Sequence, residues 1–468
     1  MSTLGYGVGG AVGTGTESTA GTGVAPAVWH QFVAEGFKAS RALVKQSSIT
    51  GDRSVLKHIP GMRAAVGELD LEFDGNSFGQ MFWYLNGTAT GALTTASVGG
   101  LFSSAPTATP TGTGNSVPAG TYRYAIAPIW QYTLDSKYYV GPVSAAVTGV
   151  TVTAGQKVDV SWSAASSPPT GWTFAGTAVY RTSGAAGTEL LVGTVTGSGT
   201  TYADTNATVV SGNYCPVGSA ASPVGASVKQ HTFVKAFTIG SDPLPSFSTT
   251  VAKNNDVAER FLLCKANSLE LSIGEGNSLV KTKFGIMCRD FEEVANPTPS
   301  YTNLSKAASW QTIVGVNGSY QEIIEKITLN VNNNCEMIPG LSGQARMRDV
   351  GYGERVVTGS FDRQFEDHSF WRYMRDGGEF SLQATIQGDA LGTIVAGGNP
   401  RFTFSSVQVQ PLSYLAIFDL PVCRLSEAGS NISGPGRQVE KVSFSTEVDS
   451  TTATELKVRL INLTSSYS

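Results

Sequence analysis

The chain has 468 residues, of which 41% are apolar, 15% are charged and 54 are glycine, with a net charge of −4. A length of this kind suggests two to four domains, and abundant Gly, Ser, Thr, Val and Ala with few charges excludes a coiled coil or a helical bundle. The acidic balance argues against a chain that grips DNA by its phosphates, and no apolar run reaches the roughly 18 residues that a membrane-spanning helix needs.

Residues 1–28 are almost uncharged and rich in Gly, Thr, Ala and Ser, which predicts a flexible N-terminal arm. The arm holds Gly5-Tyr6-Gly7-Val8-Gly9-Gly10, a match to GxGxxG, but four residues precede it and more glycines follow where the motif needs a strand before and a helix after, so a flexible arm is expected and not a dinucleotide site. The first charge is Glu17 and the first lysine Lys38, so the start lacks the basic and apolar stretches of a secretory leader. A protein kept in the cytosol, or leaving it by lysis, is the expectation. The five cysteines (Cys215, Cys264, Cys288, Cys335 and Cys423) are widely spaced without a CxxC pair. With only four histidines, they predict neither a disulfide framework nor a zinc site.

An internal repeat is the most informative pattern. With an offset of 292, residues 51–78 and 343–370 share 8 identities in 28 positions: Gly51/Gly343, Gly61/Gly353, Arg63/Arg355, Gly67/Gly359, Asp70/Asp362, Phe73/Phe365, Ser77/Ser369 and Phe78/Phe370. Residues 67–73 and 359–365 alternate apolar and polar, as half-buried strands do. A short helix is predicted after each, with Phe78, Met81, Phe82 and Leu85 on one face of the first and Phe370, Tyr373 and Met374 on the second. Asn76 or Ser77 can cap the first and Asp367 or Ser369 the second, while Gly87 and Gly377 stop them. In the second copy a strand at 379–386 follows at once; the comparable segment of the first, 230–237, comes about 140 residues later.

The intervening stretch has Gly/Ser/Thr/Pro-rich flanks, 88–119 and 211–228, around short alternating strands such as Tyr122/Tyr124/Ile126 and Val158/Val160/Trp162. That spacing predicts a β-sandwich. With Val179-Tyr180-Arg181 and Thr201-Tyr202-Ala203-Asp204, it resembles the fibronectin type III-like and Ig-like modules that decorate phage virions. The boundaries expected are an arm at 1–28, first-copy parts at 29–104 and 225–300, an insert at 105–224 and a second copy at 301–468.

The remainder resembles the tail tube proteins of long-tailed bacteriophages. The likeness rests on the order of Gly15-Thr16-Glu17, Val24-Ala25-Pro26, Gly67-Glu68-Leu69-Asp70-Leu71-Glu72-Phe73, the helix at 78–85, Leu244-Pro245-Ser246-Phe247, Cys264-Lys265-Ala266-Asn267-Ser268-Leu269, Val357-Thr358-Gly359-Ser360-Phe361, Leu420-Pro421-Val422 and a closing strand at 454–462. The second copy departs in carrying Arg363 where the first has Leu71. The resemblance implies a mainly β fold, two tandem tube-type β-sandwich or barrel domains with one short helix each plus the inserted sandwich. It also implies a non-enzymatic virion protein, assembled in the host cytoplasm, whose rings stack into a tube for DNA ejection. If one chain supplies two such domains, three chains close a pseudo-sixfold ring, with a hexamer as the alternative. The implied partners are the chain itself, other tail proteins at the tube ends and DNA in transit, with no membrane. No catalytic, cofactor or metal residues are carried over.

On strand 67–73, Glu68, Asp70 and Glu72 share one face. With Asp362 and Gln364 of the second copy they are the candidates for a channel lining. Trp130, Tyr138 and Tyr139 flank a loop of the insert and are candidates for its exposed surface. The arm is expected to bridge to the neighbouring ring. Two rivals are a host-surface adhesin working through the insert and a glycan-cleaving tail protein. Asp367-His368-Ser369 resembles a hydrolytic triad but sits at a helix start, where capping accounts for it, and no HExxH, GxSxG or P-loop is present.

Overall fold

The computed structural model describes residues 9–45, 58–75, 77–87, 93–98, 102–112, 117–185, 188–206, 208–210, 213, 215, 228–235, 244–253, 257–301, 306–341, 343–391, 401–430 and 435–467. The glycine motif at 5–8, Gly51, the Asn76 cap and parts of both insert flanks lie outside them. The chain is mainly β, with two α-helices among the described residues. Strands β1 (Gly10–Thr16), β2 (Val28–His30), β3 (Phe32–Glu35), β4 (Lys38–Val44) and β5 (Ile59–Glu72) lead to helix α1 (Phe78–Asn86) and β6 (Leu93–Ser97). The insert holds β7 (Thr107–Thr111), β8 (Gly120–Tyr132), β9 (Tyr138–Val140), β10 (Val147–Val152), β11 (Lys157–Ser161), β12 (Trp172–Thr182), β13 (Leu190–Thr196) and β14 (Thr201–Asp204). Then come β15 (Lys229–Phe233), β16 (Phe247–Lys253), β17 (Val257–Ile273), β18 (Lys281–Ala295), β19 (Thr312–Val316), β20 (Ser319–Tyr320), β21 (Ile324–Asn332), β22 (Glu336–Ile338), β23 (Asp349–Gly351) and β24 (Val356–Gln364). Helix α2 (Ser369–Asp376) precedes β25 (Glu379–Ala390), β26 (Thr403–Phe404), β27 (Val407–Gln408), β28 (Gln410–Pro411), β29 (Ser413–Ser430), β30 (Val439–Thr446) and β31 (Lys457–Asn462).

One antiparallel pairing order occurs twice. In the first half β4, β5, β18, β17 and β16 lie side by side; in the second, β21, β24, β30, β29 and β25 do. Each half places a helix after the repeated strand, α1 against β17 and α2 against β29. The strand in the position of β25 is therefore β16, whereas the sequence comparison had matched 379–386 with 230–237. β15 takes another place, between β6 and β31. The halves join edge to edge where β17 pairs with β21, Ser268 opposite Asn332. They also share one core, in which Leu69, Phe82 and Phe284 are continuous with Phe361, Phe418 and Phe444, and the Phe82 and Phe418 rings lie 5.7 Å apart.

Local chemistry explains both helices. The Asp74 carboxylate accepts the Ser77 N–H at 2.8 Å, and the Asp367 carboxylate accepts that of Ser369 at 3.0 Å, so an acid just upstream satisfies an early donor each time. Gly87 and Gly377 follow the last helical residues, Gly377 in the left-handed region at φ 65°. Every residue of α1 is buried; a side chain at Gly79 would collide with the Tyr467 ring.

The expectation of a flexible arm is corrected for residues 10–16. They form β1, which pairs with β16 and β2 and buries Val12 in the main core. Small residues are required here: a Cβ on Gly13 would lie 2.6 Å from Pro26 and 2.9 Å from Trp29. Glu17 then anchors the turn, its buried carboxylate accepting the Leu263 N–H, the Ser248 hydroxyl and the Gly21 N–H. The composition that reads as disorder is here a strand buried on both faces.

Next to β1, His30 is fully buried 2.9 Å from the Thr14 hydroxyl. Burial, reinforced by Lys306 and opposed by Asp74, lowers its pKa from 6.5 to about 4. Between those values the unfolded chain takes up a proton that the folded chain refuses. This contribution to stability is present above pH 6.5 and declines as pH falls towards 4, by on the order of 3 kcal/mol. Urea titrations at pH 7 and pH 4.5 should show a loss that is smaller in His30→Asn.

The insert is a sandwich of a three-stranded sheet (β14-β11-β7) and a larger sheet around β8 and β12. Between them pack Tyr124, Ile126, Val158, Val160, Trp162 and Val179. A buried Arg181–Asp204 ion pair at 2.7 Å, joined by the Tyr124 hydroxyl, ties the sheets together. Chain entry and exit are adjacent, because Ser97 of β6 pairs with Lys229 of β15.

Candidate functional site

Three surfaces bear on function: a continuous polar sheet face, the seat of the insert, and an exposed hairpin.

The polar face runs across β5, β18, β17, β21, β24, β30 and the second half of β29. Register gives its rows. Asp70, Lys283, Glu270, Asn330, Thr358, Ser445 and Arg424 lie in one line; Glu72, Lys281, Ser272, Thr328, Ser360, Ser443 and Glu427 lie in the next. Glu68 sits beside the first line and Asp362 beyond the second, between Lys326 and Lys441. Gln364 ends β24 on the same face. All five residues proposed from the sequence thus share one face of one sheet, since alternate residues of each strand point into the core. The face is not the acidic wall that Glu68, Asp70 and Glu72 suggest by themselves. Glu68 contacts Lys283 at 2.6 Å, and Glu68, with Asp70 and Glu270 adding, raises the Lys283 pKa. Its centre is Ser, Thr and Asn.

Arg363, the departure from the repeat, points away from this face. It is 4% exposed, donates to the Glu440 carboxylate at 2.6 Å and to the Asp367 carbonyl at 3.0 Å, and lies 4.5 Å over the Phe370 ring. In the other half the corresponding cross-strand pair is Leu71 with Thr282. The Asp367-His368-Ser369 triplet therefore serves the helix start and this ion pair.

The seat of the insert overturns two of its three surface candidates. Trp130 is 0% and Tyr139 3% exposed, because both pack with Tyr132, Leu134 and Trp172 against Ile313, Leu391, Leu412, Tyr414, Leu415 and Ile461 of the body. Tyr138 is half-buried against Phe404 at 5.2 Å. β9 pairs with β28 of the body, Tyr139 opposite Gln410. The Tyr132 hydroxyl bonds that of Thr385 at 2.6 Å, Gln387 donates to the Tyr139 hydroxyl at 2.9 Å, and Arg459 donates to the Thr170 carbonyl at 2.8 Å. The module is clamped to the second half and does not hang from its flanks.

The exposed hairpin was not singled out from the sequence. Every residue of β4 is exposed, and Leu43, Val44 and Ile59 are each more than half exposed where β4 meets β5. The segment 38–63 carries Lys38, Arg41, Lys45, Arg53, Lys57 and Arg63 against the single acid Asp52. The described part of this edge is exposed and apolar at Leu43, Val44 and Ile59 and carries Lys38 and Arg41; the cluster of cations was the available sequence signal.

Among the described residues no group of three or more His, Cys, Asp or Glu could hold a metal, and no helix is long and apolar enough to cross a membrane. A cleft of about 530 Å³ contains Arg355, Lys235 and Glu455, and there the carboxylate is held 3.1 Å from both cations.

A family model described as phage tail tube protein matches residues 215–446, just under half of the chain. The match opens ahead of β15 and closes at the last residue of β30. It supports a phage tail tube protein, a structural component of the virion tail. No curated protein matches the chain.

Proposed function

We propose that the chain polymerises as stacked rings into a tail tube through which viral DNA is ejected into the host. The observation that carries this is the polar face shared by both halves. A wall of Ser, Thr and Asn with compensated charges offers DNA neither a cationic grip nor an apolar one, so a polyanion passes without being retained. The repeated pairing order supports two ring-forming units per chain, hence three chains in a pseudo-sixfold ring; six chains is the alternative. The hairpin at β4 and β5 is the contact to a second copy, and the inserted sandwich is an Ig-like or fibronectin III-like module carried once per chain. Assembly takes place in the host cytoplasm with other tail proteins closing the tube ends.

Changing Glu68, Asp70 and Glu72 together to Lys tests the channel assignment. The substitutions would join Lys281 and Lys283 in a cationic strip. Tubes should still form, while DNA ejection from reconstituted particles slows or stalls. Ejection at the wild-type rate from tubes of normal appearance would place this face outside the channel.

A further inference from the structure

We propose that Cys264 and Cys288 are a modification site: a thiol pair that closes to a disulfide when the protein meets an oxidising medium. The two residues stand directly opposite each other on β17 and β18, so their side chains leave the sheet on the same face. Opposed residues of an antiparallel pair have Cα atoms about 4.5–5.5 Å apart, inside the range a disulfide spans. Both side chains are 0% exposed and belong to the main core, and the neighbouring Cys264 thiol adds to burial in raising the Cys288 pKa. Nothing else among the described residues stands opposite another cysteine across a strand pair: Cys335 lies beside Ala266 of β17, outside the β17–β18 ladder, and Cys215 and Cys423 lie elsewhere in the fold.

Access is the limiting factor, because burial raises the Cys288 thiol pKa and disfavours the reactive thiolate. The ladder is irregular at this point. Pairing of β16 with β17 is irregular between Phe247 and Thr249, opposite Cys264, and Leu263 adopts a positive φ of 45°. Local opening at such an irregularity exposes the pair without unfolding the sheet. With glutathione disulfide as the oxidant, one cysteine thiolate attacks its sulfur and releases a glutathione thiolate. The second cysteine thiolate then attacks the mixed disulfide, releasing a second glutathione. The pair loses two protons and two electrons, and the oxidant is reduced to two thiols. The closed bond would staple the longest hairpin of the body, whose strand β17 also joins the two halves. That it closes on release from the host cytoplasm rests on the tube reading; the chemistry does not.

The test incubates the intact reduced protein with glutathione disulfide below its unfolding temperature. Intact mass should fall by two hydrogens, peptide mapping should join Cys264 to Cys288, and the oxidised sample should melt several degrees higher than the same sample after reduction. Cys264→Ser should keep its mass and gain no melting temperature. Five free thiols after prolonged incubation, or a cross-link through Cys215, Cys335 or Cys423 instead, would overturn the proposal, whichever way tube assembly is decided.

Discussion

Excision of residues 106–222, with the ends rejoined by a short linker, is expected to destabilise the body severely. Taken by themselves, the Gly/Ser/Thr/Pro-rich flanks at 88–119 and 211–228 suggest a dispensable appendage. The structure reverses that expectation: removing the insert strips cover from Ile313, Leu412, Tyr414, Leu415 and Ile461 and leaves Thr385, buried at 0% exposure, without its Tyr132 partner. An exposed apolar patch of that kind favours aggregation. The point-mutant version is Trp172→Ala. Trp172 packs 6.0 Å from Trp130, 4.6 Å from Tyr132 and 5.1 Å from Tyr139, and its truncation should cost about 3–5 kcal/mol. Denaturant melts and soluble yield read both outcomes. A soluble excised chain with an unshifted melt would show that the insert contributes nothing to the body.

The second large effect concerns the Arg363–Glu440 pair. Removing one partner leaves a buried charge, so Glu440→Thr alone should destabilise by about 3–5 kcal/mol. The other half of the chain offers a natural replacement, Leu71 opposite Thr282. The double variant Arg363→Leu with Glu440→Thr should recover most of the loss, because an apolar side chain needs no counter-charge. Additive losses in this double-mutant cycle would mean that the two halves do not tolerate equivalent cores at this position.

Legibility in the sequence followed the range of the interactions. The strand-and-helix units at β5–α1 and β24–α2 are readable because alternation, an acid ahead of the helix and a terminal glycine are all local. The shared face of Glu68, Asp70, Glu72, Asp362 and Gln364 follows from strand periodicity once the two strands join one sheet. Its charge balance does not, because Lys281 and Lys283 arrive from a strand about 200 residues away. Trp130 and Tyr139 were misread for the same reason: their cover is Leu412 and Tyr414, far along the chain. β1 was missed because glycine and threonine mark flexible arms far more often than strands packed against a tryptophan. β16 escaped the repeat comparison because the insert displaces it and β15 presents a similar alternation nearer the expected place.

Electron microscopy of the purified, full-length chain tests the central claim most directly. The account predicts regular hollow tubes of stacked rings, with a lumen wide enough for duplex DNA and three chains per ring. Monodisperse single chains that never assemble, across protein concentrations and salt conditions, would contradict it.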